Sequence, residues 1–292
     1  MQTTIYLGNR RVQVLQGSAG SRAAISRVIE YRIEDDCLIN GVIVDAEALT
    51  DSLRRLWQSQ NLPKKGVRLV LGSGQFLTRV LQAPRLSRQQ MLTLVSREFA
   101  DADRSGDVVD YMSLRARPGE TGETVLCCAA QRQQLQSYLE VFGVLGVSLQ
   151  AIVPELAAQA RLIEAMPVFA DRTCILLNLD GDTMLGTLIE QGRYKHASRT
   201  RLFQQAGTPE RAEQIAQTVS GLMQFQIADK RDSRITEVYL GDCRGEMPDI
   251  LEKSIRALGA ETAPFPAFER IRFPAGGSLQ QCLLTAGDFI RR

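Results

Sequence analysis

The sequence predicts an α/β protein that is built from two similar halves. Each half opens with two short apolar segments joined by a turn that contains glycine, at Gly8 and at Gly181. In each half an amphipathic helix and a further apolar strand follow this hairpin. The chain has 292 residues, of which 44% are hydrophobic and 23% charged, so it can bury a sizeable core.

In the first half, short apolar runs predict strands, and apolar residues at spacings of three and four predict helices. Asp45 can cap the helix that follows it, and Ser87 with Gln90 forms a capping box. The turn at 7–10 uses glycine and asparagine, which tolerate positive φ, and 72–74 is predicted as a hairpin turn. The predicted strands are 2–6, 11–15, 26–33, 67–71, 76–81, 111–114, 125–130 and 147–153, and the predicted helices are 46–61, 88–99, 135–145 and 154–166.

The second half starts at residue 174 with an apolar strand, a tight turn at 180–183 and a second apolar strand. A polar stretch without a predicted element extends from there to Gly207. Thr208 and Pro209 mark the start of a helix, because threonine caps helices and proline is favoured in their first turn. The remaining predictions are a strand at 235–240 and helices at 248–258 and 279–290.

A hairpin, helix and strand order that occurs twice is typical of the actin-like, or ribonuclease-H-like, fold. In that fold each half supplies a glycine turn to a site for nucleotide phosphates. We therefore predict an actin-like α/β protein with a small α/β insert in its first half. The predicted domains are 1–30 with 121–168 as the first half, 31–120 as the insert, and 169–292 as the second half.

Composition argues against several classes of function. The net charge is +2, from 35 basic and 33 acidic residues, which gives no reason to expect a nucleic-acid partner. No apolar run approaches the ~20 residues that span a bilayer. His196 is the single histidine, so a histidine metal site is not expected, and we predict that His196 faces solvent. We assign no catalytic residue and no metal ligand.

A family likeness lies in the residues that follow the first hairpin. Residues 39–45 read Ile-Asn-Gly-Val-Ile-Val-Asp, residues 80–87 read Val-Leu-Gln-Ala-Pro-Arg-Leu-Ser, and Glu98 follows. Together with the runs at 143–147 and 286–291, these resemble PilM, the cytoplasmic actin-like protein of type IV pilus assembly. The cytoplasmic domain of the type II secretion protein GspL and the division protein FtsA are similar to the same fold. The resemblance implies that the insert is SHS2-like.

The chain departs from this family in its nucleotide motifs. The first phosphate turn of PilM resembles I-D-I-G-S-S-S-x-K. In this chain the glycine is kept as Gly8, and Tyr6 occupies the position of the aspartate. Asn9 and Arg10 replace small hydroxyl residues, and Gln13 stands at the lysine. Bulky side chains in such a turn block the close backbone approach that glycine and serine allow a phosphate.

The second phosphate turn reads L-L-D-I-G in the family. Here Asn178 stands at the aspartate and Asp180 at the glycine, with Gly181 next. A carboxylate that faces a triphosphate is repulsive. The family has a glycine pair in the segment that corresponds to 201–207, and this chain lacks it. The family's adenosine turn is rich in glycine, whereas here Gly241 is followed by Asp-Cys-Arg. Because four motifs are altered together, the resemblance implies that hydrolysis of Mg-ATP is lost.

These expectations combine into a cytoplasmic scaffold of a type IV pilus or related secretion machine, with a degenerate nucleotide site and no cofactor. By family analogy the scaffold docks the N-terminal peptide of a PilN-like inner-membrane protein, in a groove between the insert and the first half. The predicted contacts to this partner are Leu69, Leu71, Phe76 and Leu94. The same insert can serve self-association. The partner then holds the protein at the inner face of the cell membrane.

Two alternatives stay open. The first is an active actin-like ATPase that binds ATP with Mg²⁺ through substituted residues. The candidate nucleotide-binding residues for that case are Gly8, Asn9, Arg10, Asn178, Asp180, Gly181 and Gly241. The second is an adaptor of the cell-division type, for which the tail at 279–292 would be a membrane-surface helix. We prefer a last helix that packs on the core.

Overall fold

The computed structural model describes residues 1–34, 37–72, 74, 76–100, 106–117, 119–228 and 234–291. The chain divides into two units. The first comprises Met1–Arg161 with Leu284–Arg292, and the second comprises Leu162–Leu283. The predicted second half at 169–292 is corrected at its end, because Asp288 hydrogen-bonds within the first unit. None of the described helices is long and apolar enough to cross a membrane.

The first unit contains most of the strands. In chain order its strands are β1 (Gln2–Leu7), β2 (Arg11–Ser18), β3 (Ala23–Arg32), β4 (Leu38–Ile39), β5 (Val42–Ile43), β6 (Val67–Leu71), β7 (Leu77–Ala83), β8 (Asp107–Ser113), β9 (Glu123–Gln131) and β10 (Leu149–Pro154). Its helices are α1 (Ala46–Gln60), α2 (Arg88–Glu98), α3 (Arg132–Val144) and the first part of α4 (Glu155–Ala165).

The larger sheet of this unit has the strand order β3-β2-β1-β6-β10. Strands β1 and β2, and then β2 and β3, are antiparallel, whereas β6 is parallel to both β1 and β10. Alternate side chains of β6 enter a core that α1 and α3 share with the sheet. Within this core, Trp57 of α1 meets Phe142 of α3 edge to face, with ring centroids 5.7 Å apart. Burial of such aromatic side chains is a main source of stability for the unit.

Helix α1 forms as predicted, because its apolar residues recur at helical spacing and its ends are capped. The side chain of Asp45 accepts a hydrogen bond of 2.9 Å from the backbone N–H of Ala48. The helix ends at Asn61, whose φ of 50° is left-handed. Both the N-cap and the end of this helix are therefore confirmed.

We expect Asp45→Ala to lower the free energy of unfolding by about 1 kcal/mol, because one N–H of the first turn loses its acceptor. Urea denaturation measures this change. Asp51→Ala is the matched control, since Asp51 lies on the exposed side of the same helix and pairs with the exposed Arg54. Equal losses in the two variants would contradict a capping role for Asp45.

The insert is a separate three-stranded antiparallel sheet with β9 between β7 and β8. Helix α2 covers it, and Met91 and Val95 pack against Val125 and Cys127. The capping box of Ser87 with Gln90 is present at the start of α2, as predicted.

The boundaries of the insert differ from the prediction of 31–120. Strand β6 belongs to the larger sheet, because it pairs with β1 and β10. Strand β9 belongs to the insert, which therefore extends from Leu77 to Gln131. The predicted hairpin turn at 72–74 is wrong for the same reason, since β6 and β7 pair with different strands.

The second unit repeats the architecture of the larger sheet. Its strands are β11 (Cys174–Asp180), β12 (Thr183–Glu190), β13 (Arg193–Arg201), β14 (Glu237–Leu240), β15 (Glu261–Pro264) and β16 (Ile271–Arg272), and its helices include α5 (Pro209–Ala228) and α6 (Pro248–Arg256). The order is β13-β12-β11-β14-β15. Strand β12 is antiparallel to both of its neighbours, β11 and β13. Strand β14 is parallel to β11 and to β15. The predicted duplication is therefore confirmed.

Two predictions in this unit are wrong. The polar stretch before Gly207 contains β13, an edge strand whose basic side chains hid it from the hydrophobic pattern. On this strand His196 does not face solvent freely: its ring stacks on Phe225 with centroids 4.3 Å apart. Burial lowers the pKa of His196, and the neighbouring charge of Lys195 lowers it further.

The C-terminal segment forms short helical turns in place of one predicted helix at 279–290. These are a 3₁₀ turn at Gln280–Cys282, helix α7 (Leu283–Ala286) and a 3₁₀ turn at Gly287–Phe289. Phe289 is fully buried, and the backbone of this segment bonds to Gly20 of the first unit. The segment therefore packs on the core, as we preferred, instead of forming an exposed amphipathic helix.

Candidate functional site

A groove of about 280 Å³ lies within the first unit, between the insert and the edge of the larger sheet. On the insert side, β8 and one face of β9 line it. On the other side, β10, the start of α4 and one side chain of β6 line it. The lining residues are Arg68, Phe76, Thr78, Val108, Val109, Asp110, Tyr111, Met112, Leu126, Cys128, Ala130, Leu135, Ala151, Ile152, Val153, Pro154, Ala157 and Arg161.

Two strand edges border this groove. Consecutive residues 108–112 and 151–154 line it, so the backbones of β8 and β10, and not only alternate side chains, face the space. In the described part of the chain, β8 pairs on one side with β9, and β10 pairs on one side with β6. An unpaired strand edge presents N–H and C=O groups that an added extended segment can bond.

Most side chains in the middle of the groove are apolar, and Asp110 of β8, which lies opposite Cys128, adds one carboxylate to the lining. Leu126 and Leu135 contribute from the insert and α3, and Val153 contributes from β10. The thiol of Cys128 also lines this part, and burial raises its pKa to about 12, with a smaller contribution from the charge of Asp110. The thiol is therefore neutral at physiological pH and adds to the apolar surface.

The predicted partner residues fall into two groups. Phe76 is half-buried and lines the groove. Leu69 and Leu71 are 0% and 1% exposed in the core beneath the sheet, so no partner can reach them in this structure. Leu94 is half-buried and packs on the core of the insert. The family resemblance suggested this region, and the sequence did not show which side chains of β6 face the groove.

The predicted phosphate turn of the first unit makes its own backbone contacts. The N–H of Gly8 donates to the carbonyl of Arg11 at 3.0 Å, which closes the hairpin. Gly8 is buried, Asn9 is half-buried and Arg10 is exposed. Gly8 and Asn9 are not among the described residues with positive φ, so the turn does not use the conformation that we expected of them.

Tyr6 fills the position where the family has an aspartate. Its side chain is 1% exposed, and its hydroxyl donates to the carboxylate of Glu155 across 3.4 Å. Gly72 closes this cluster from the other side: a Cβ at Gly72 would lie 2.5 Å from the Tyr6 hydroxyl and 2.7 Å from Glu155. An aromatic ring therefore fills this position and is packed tightly between Glu155 and Gly72.

In the second unit, the predicted phosphate turn is held by a buried ion pair. Gly181 has a φ of 62°, and its carbonyl accepts a 2.6 Å hydrogen bond from Nη2 of Arg211. Nε of Arg211 bonds to Glu246 at 2.6 Å, and the side chains of this pair are 6% and 4% exposed. Sequence reasoning missed both residues, because neither belongs to a recognisable motif.

Two of the remaining candidates of the second unit, Asn178 and Gly241, bond to neighbouring residues. Oδ1 of Asn178 accepts from the backbone N–H of Asp242 at 3.1 Å, and the N–H of Gly241 donates to the carbonyl of Leu177 at 2.7 Å. The side chain of Arg244 binds both carboxylate oxygens of Asp242, each at 2.7 Å. Asp180 is 8% exposed at the end of β11. Asn178, Gly241 and Asp242 therefore all take part in hydrogen bonds within the second unit.

Among the described residues, no group of three or more histidine, cysteine or acidic side chains is arranged to hold a metal ion. Of the predicted nucleotide residues, Gly8, Asn9 and Arg10 lie in the β1–β2 turn of the first unit, and Asn178, Asp180, Gly181 and Gly241 lie in the second unit; their role stays a prediction.

Comparison with solved structures identifies the fold. A chain of a structure described as a PilM–PilN type IV pilus biogenesis complex matches with a TM-score of 0.76 at 14% identity, over 100% of this chain and 99% of that one. A Bacteroides thetaiotaomicron protein described as having an actin-like ATPase fold and unknown function matches at 0.53 and 12% identity, over 90% of each chain. The fold is actin-like.

The cytoplasmic domain of EpsL, an inner-membrane component of the type II secretion system of Vibrio cholerae, has the same actin-like fold. It matches with a TM-score of 0.51 at 13% identity, over 97% of this chain and 92% of that one. No protein-family model and no curated protein matches the sequence. The predicted resemblance to PilM and to the GspL type of domain is therefore confirmed at the level of the fold.

Proposed function

We propose that this actin-like protein is a docking component of a type IV pilus or related secretion machine. It binds an extended segment of a PilN-like inner-membrane partner in the groove of the first unit. Through that partner it is held at the cytoplasmic face of the inner membrane. The single observation that carries the proposal is the apolar groove bordered by two strand edges, in a chain whose fold matches a structure described as a PilM–PilN complex.

The chemistry of the groove suits an extended peptide. The edges of β8 and β10 offer main-chain hydrogen bonds along the whole length of a strand, and such bonds give affinity without demanding a sequence. The apolar middle, with Leu126, Leu135 and Val153, would take the side chains of a partner that point to one face of its strand. Alternate apolar residues in the partner are therefore the expected recognition feature.

We further infer that the nucleotide site is degenerate. Tyr6 fills the carboxylate position in the first unit, and Asn178 and Asp242 bond to each other in the second. A buried tyrosine cannot hold a Mg²⁺-bound water as an aspartate does, and Asp180 would repel a triphosphate. An active ATPase is the second candidate, which the actin-like fold favours and these side chains disfavour.

The docking proposal predicts that a synthetic peptide covering the cytoplasmic N-terminal segment of a PilN-like protein from the same organism binds the full chain. Fluorescence anisotropy of the labelled peptide measures this binding. Leu135→Glu should weaken it about tenfold or more, because a charge then stands in the apolar middle of the groove.

Leu139→Glu is the matched control for this experiment. Leu139 lies one turn later on α3, is 44% exposed and does not line the groove. Binding should be unchanged in this variant. A peptide that does not bind, or that binds Leu135→Glu as tightly as the unsubstituted protein, would overturn the docking proposal. Binding only between copies of this chain would indicate self-association instead.

The degenerate site predicts that saturating ATP with Mg²⁺ leaves the thermal stability unchanged. A ligand present at a hundred times its dissociation constant would add about 2.7 kcal/mol to the free energy of unfolding, which a thermal-shift assay detects readily. A clear shift that requires Mg²⁺ would contradict the assignment and favour the ATPase.

A further inference from the structure

Two arginines line the groove, and the proposed function leaves them unexplained; the acidic side chain in the lining, Asp110 of β8, lies 4.0 Å from Arg88. Arg68 on β6 and Arg161 on α4 both line it. Arg68 is opposite Ala151 in the pairing of β6 with β10, whereas Leu71 is opposite Pro154. These two positions are about 10 Å apart along the strand. The arginines therefore stand at the Ala151 end of the groove, and Phe76, which follows β6, stands near the Pro154 end.

A single buried carboxylate holds both arginines in place. Asp288, which is 0% exposed, accepts from Nε of Arg68 at 2.7 Å and from Nη2 at 2.9 Å. Its Oδ1 also accepts from Nη1 of Arg161 at 3.2 Å, and Thr4 donates to Oδ2 at 3.0 Å. Such a bidentate contact fixes the plane of the Arg68 guanidinium.

Arg68 keeps hydrogen-bonding capacity toward the groove. A guanidinium has five N–H donors, and Arg68 directs two of its own at Asp288. Within the part of the chain that the structure describes, the other donors of Arg68 have no acceptor. Its side chain is 15% exposed and lines the groove, so an incoming acceptor can reach it. The hydrogen bonds with Asp288 raise the pKa of Arg68, which keeps it charged.

We propose that the docked segment carries an acidic side chain that binds Arg68 at the Ala151 end of the groove, with apolar side chains in the middle. Arg161 adds positive charge at the same end, and Asp288 acts as a positioning residue that presents Arg68. This inference rests on the proposed docking function, and it adds the chemistry of the partner. A carboxylate is favoured over a neutral amide, because it can accept two parallel bonds from a guanidinium.

The test starts with a displayed library of random dodecapeptides, selected on the immobilised full chain. We expect apolar residues followed or preceded by aspartate or glutamate. One selected peptide is then synthesised with glutamate and with glutamine at that position. The unsubstituted protein should prefer the glutamate form about tenfold, and Arg68→Gln should remove this preference. Arg68→Lys should keep part of it, since the charge remains but the planar contact is lost.

The ratio of the two affinities separates recognition from folding. Loss of the Arg68–Asp288 contact weakens the fold, but a weaker fold lowers the affinity for both peptides equally. Arg54→Gln is the control, because Arg54 is exposed on α1 and does not line the groove. Its glutamate preference should equal that of the unsubstituted protein.

The outcomes distinguish this inference from the docking proposal itself. Peptides that lose binding in Leu135→Glu but show no acidic enrichment, or whose preference survives Arg68→Gln, would overturn the inference and leave docking intact. Peptides that bind Leu135→Glu unchanged, or a selection that yields no binding peptide, would overturn the docking proposal and the inference with it.

Discussion

Replacing Asp288 by alanine is expected to lower the stability of the first unit by about 3–5 kcal/mol. Asp288 is fully buried and binds two guanidinium groups, from Arg68 and Arg161, together with the hydroxyl of Thr4. Without the carboxylate, two partly buried positive charges face each other and lose their acceptor. Removing one partner of a buried ion pair is costly because the remaining charge stays desolvated.

Native-state hydrogen exchange in β1 and β6 measures this effect locally, where a single melting temperature for a two-unit chain would not. Asp51→Ala is the matched control: Asp51 is 51% exposed and pairs with an exposed arginine, so the expected change is about 0.5 kcal/mol or less. A loss below about 1 kcal/mol for Asp288→Ala would show that the C-terminal segment does not stabilise the first unit through this carboxylate.

Arg211→Ala is expected to have a similar effect in the second unit, about 3–5 kcal/mol. Besides its bond to Glu246, Arg211 donates to the carbonyls of Gly181 at 2.6 Å and Gln204 at 3.0 Å. Its loss leaves the buried carboxylate of Glu246 without its charged partner, although the N–H of Gly207 still donates to it, and frees the β11–β12 turn. Hydrogen exchange in β11 and β12 should report the loss.

Two further variants test the cause of this effect. Combining Arg211→Met with Glu246→Leu should recover about half of the loss, because no charge is then buried alone. Arg256→Ala is the control, since Arg256 forms an exposed pair with Glu252 on α6 and should change stability by about 0.5 kcal/mol or less. If the double variant is as unstable as Arg211→Ala, the stability that Arg211 provides comes mainly from its hydrogen bonds to the backbone and not from the ion pair.

The local elements were predictable where side-chain chemistry alone determines them. Helices α1 and α2 begin at residues that cap through their own side chains, Asp45 and Ser87, and both signals are readable without the tertiary structure. Strand β13 was missed because an edge strand satisfies half of its backbone with solvent and accepts basic residues such as Lys195 and Arg199.

Strand pairing was harder to predict, because it depends on contacts far apart in sequence. The apolar run 67–71 predicts a strand whether it belongs to the insert or to the larger sheet. Only the pairing of β6 with β1 and β10 assigns it to the larger sheet. The insert boundaries therefore could not be located from the hydrophobic pattern.

The candidate site was predictable in region and not in detail. Phe76 lines the groove, whereas Leu69 and Leu71 point into the core, because alternate residues of a strand face opposite sides and the sequence does not say which side is covered. Arg68 and Asp288 are 220 residues apart in sequence, and no local motif connects them. Their contact appears only once the C-terminal segment is placed on the first unit.

The most direct test of the docking account is hydrogen exchange of the full chain with and without the N-terminal peptide of a PilN-like protein from the same organism. If the peptide adds as a strand, amide exchange should slow at alternate residues within 108–112 and 151–153, because only every second N–H of β8 and β10 points to the free edge that borders the groove. Slowing confined to the second unit, or no slowing while the peptide is bound, would contradict the central claim that this groove is the docking site.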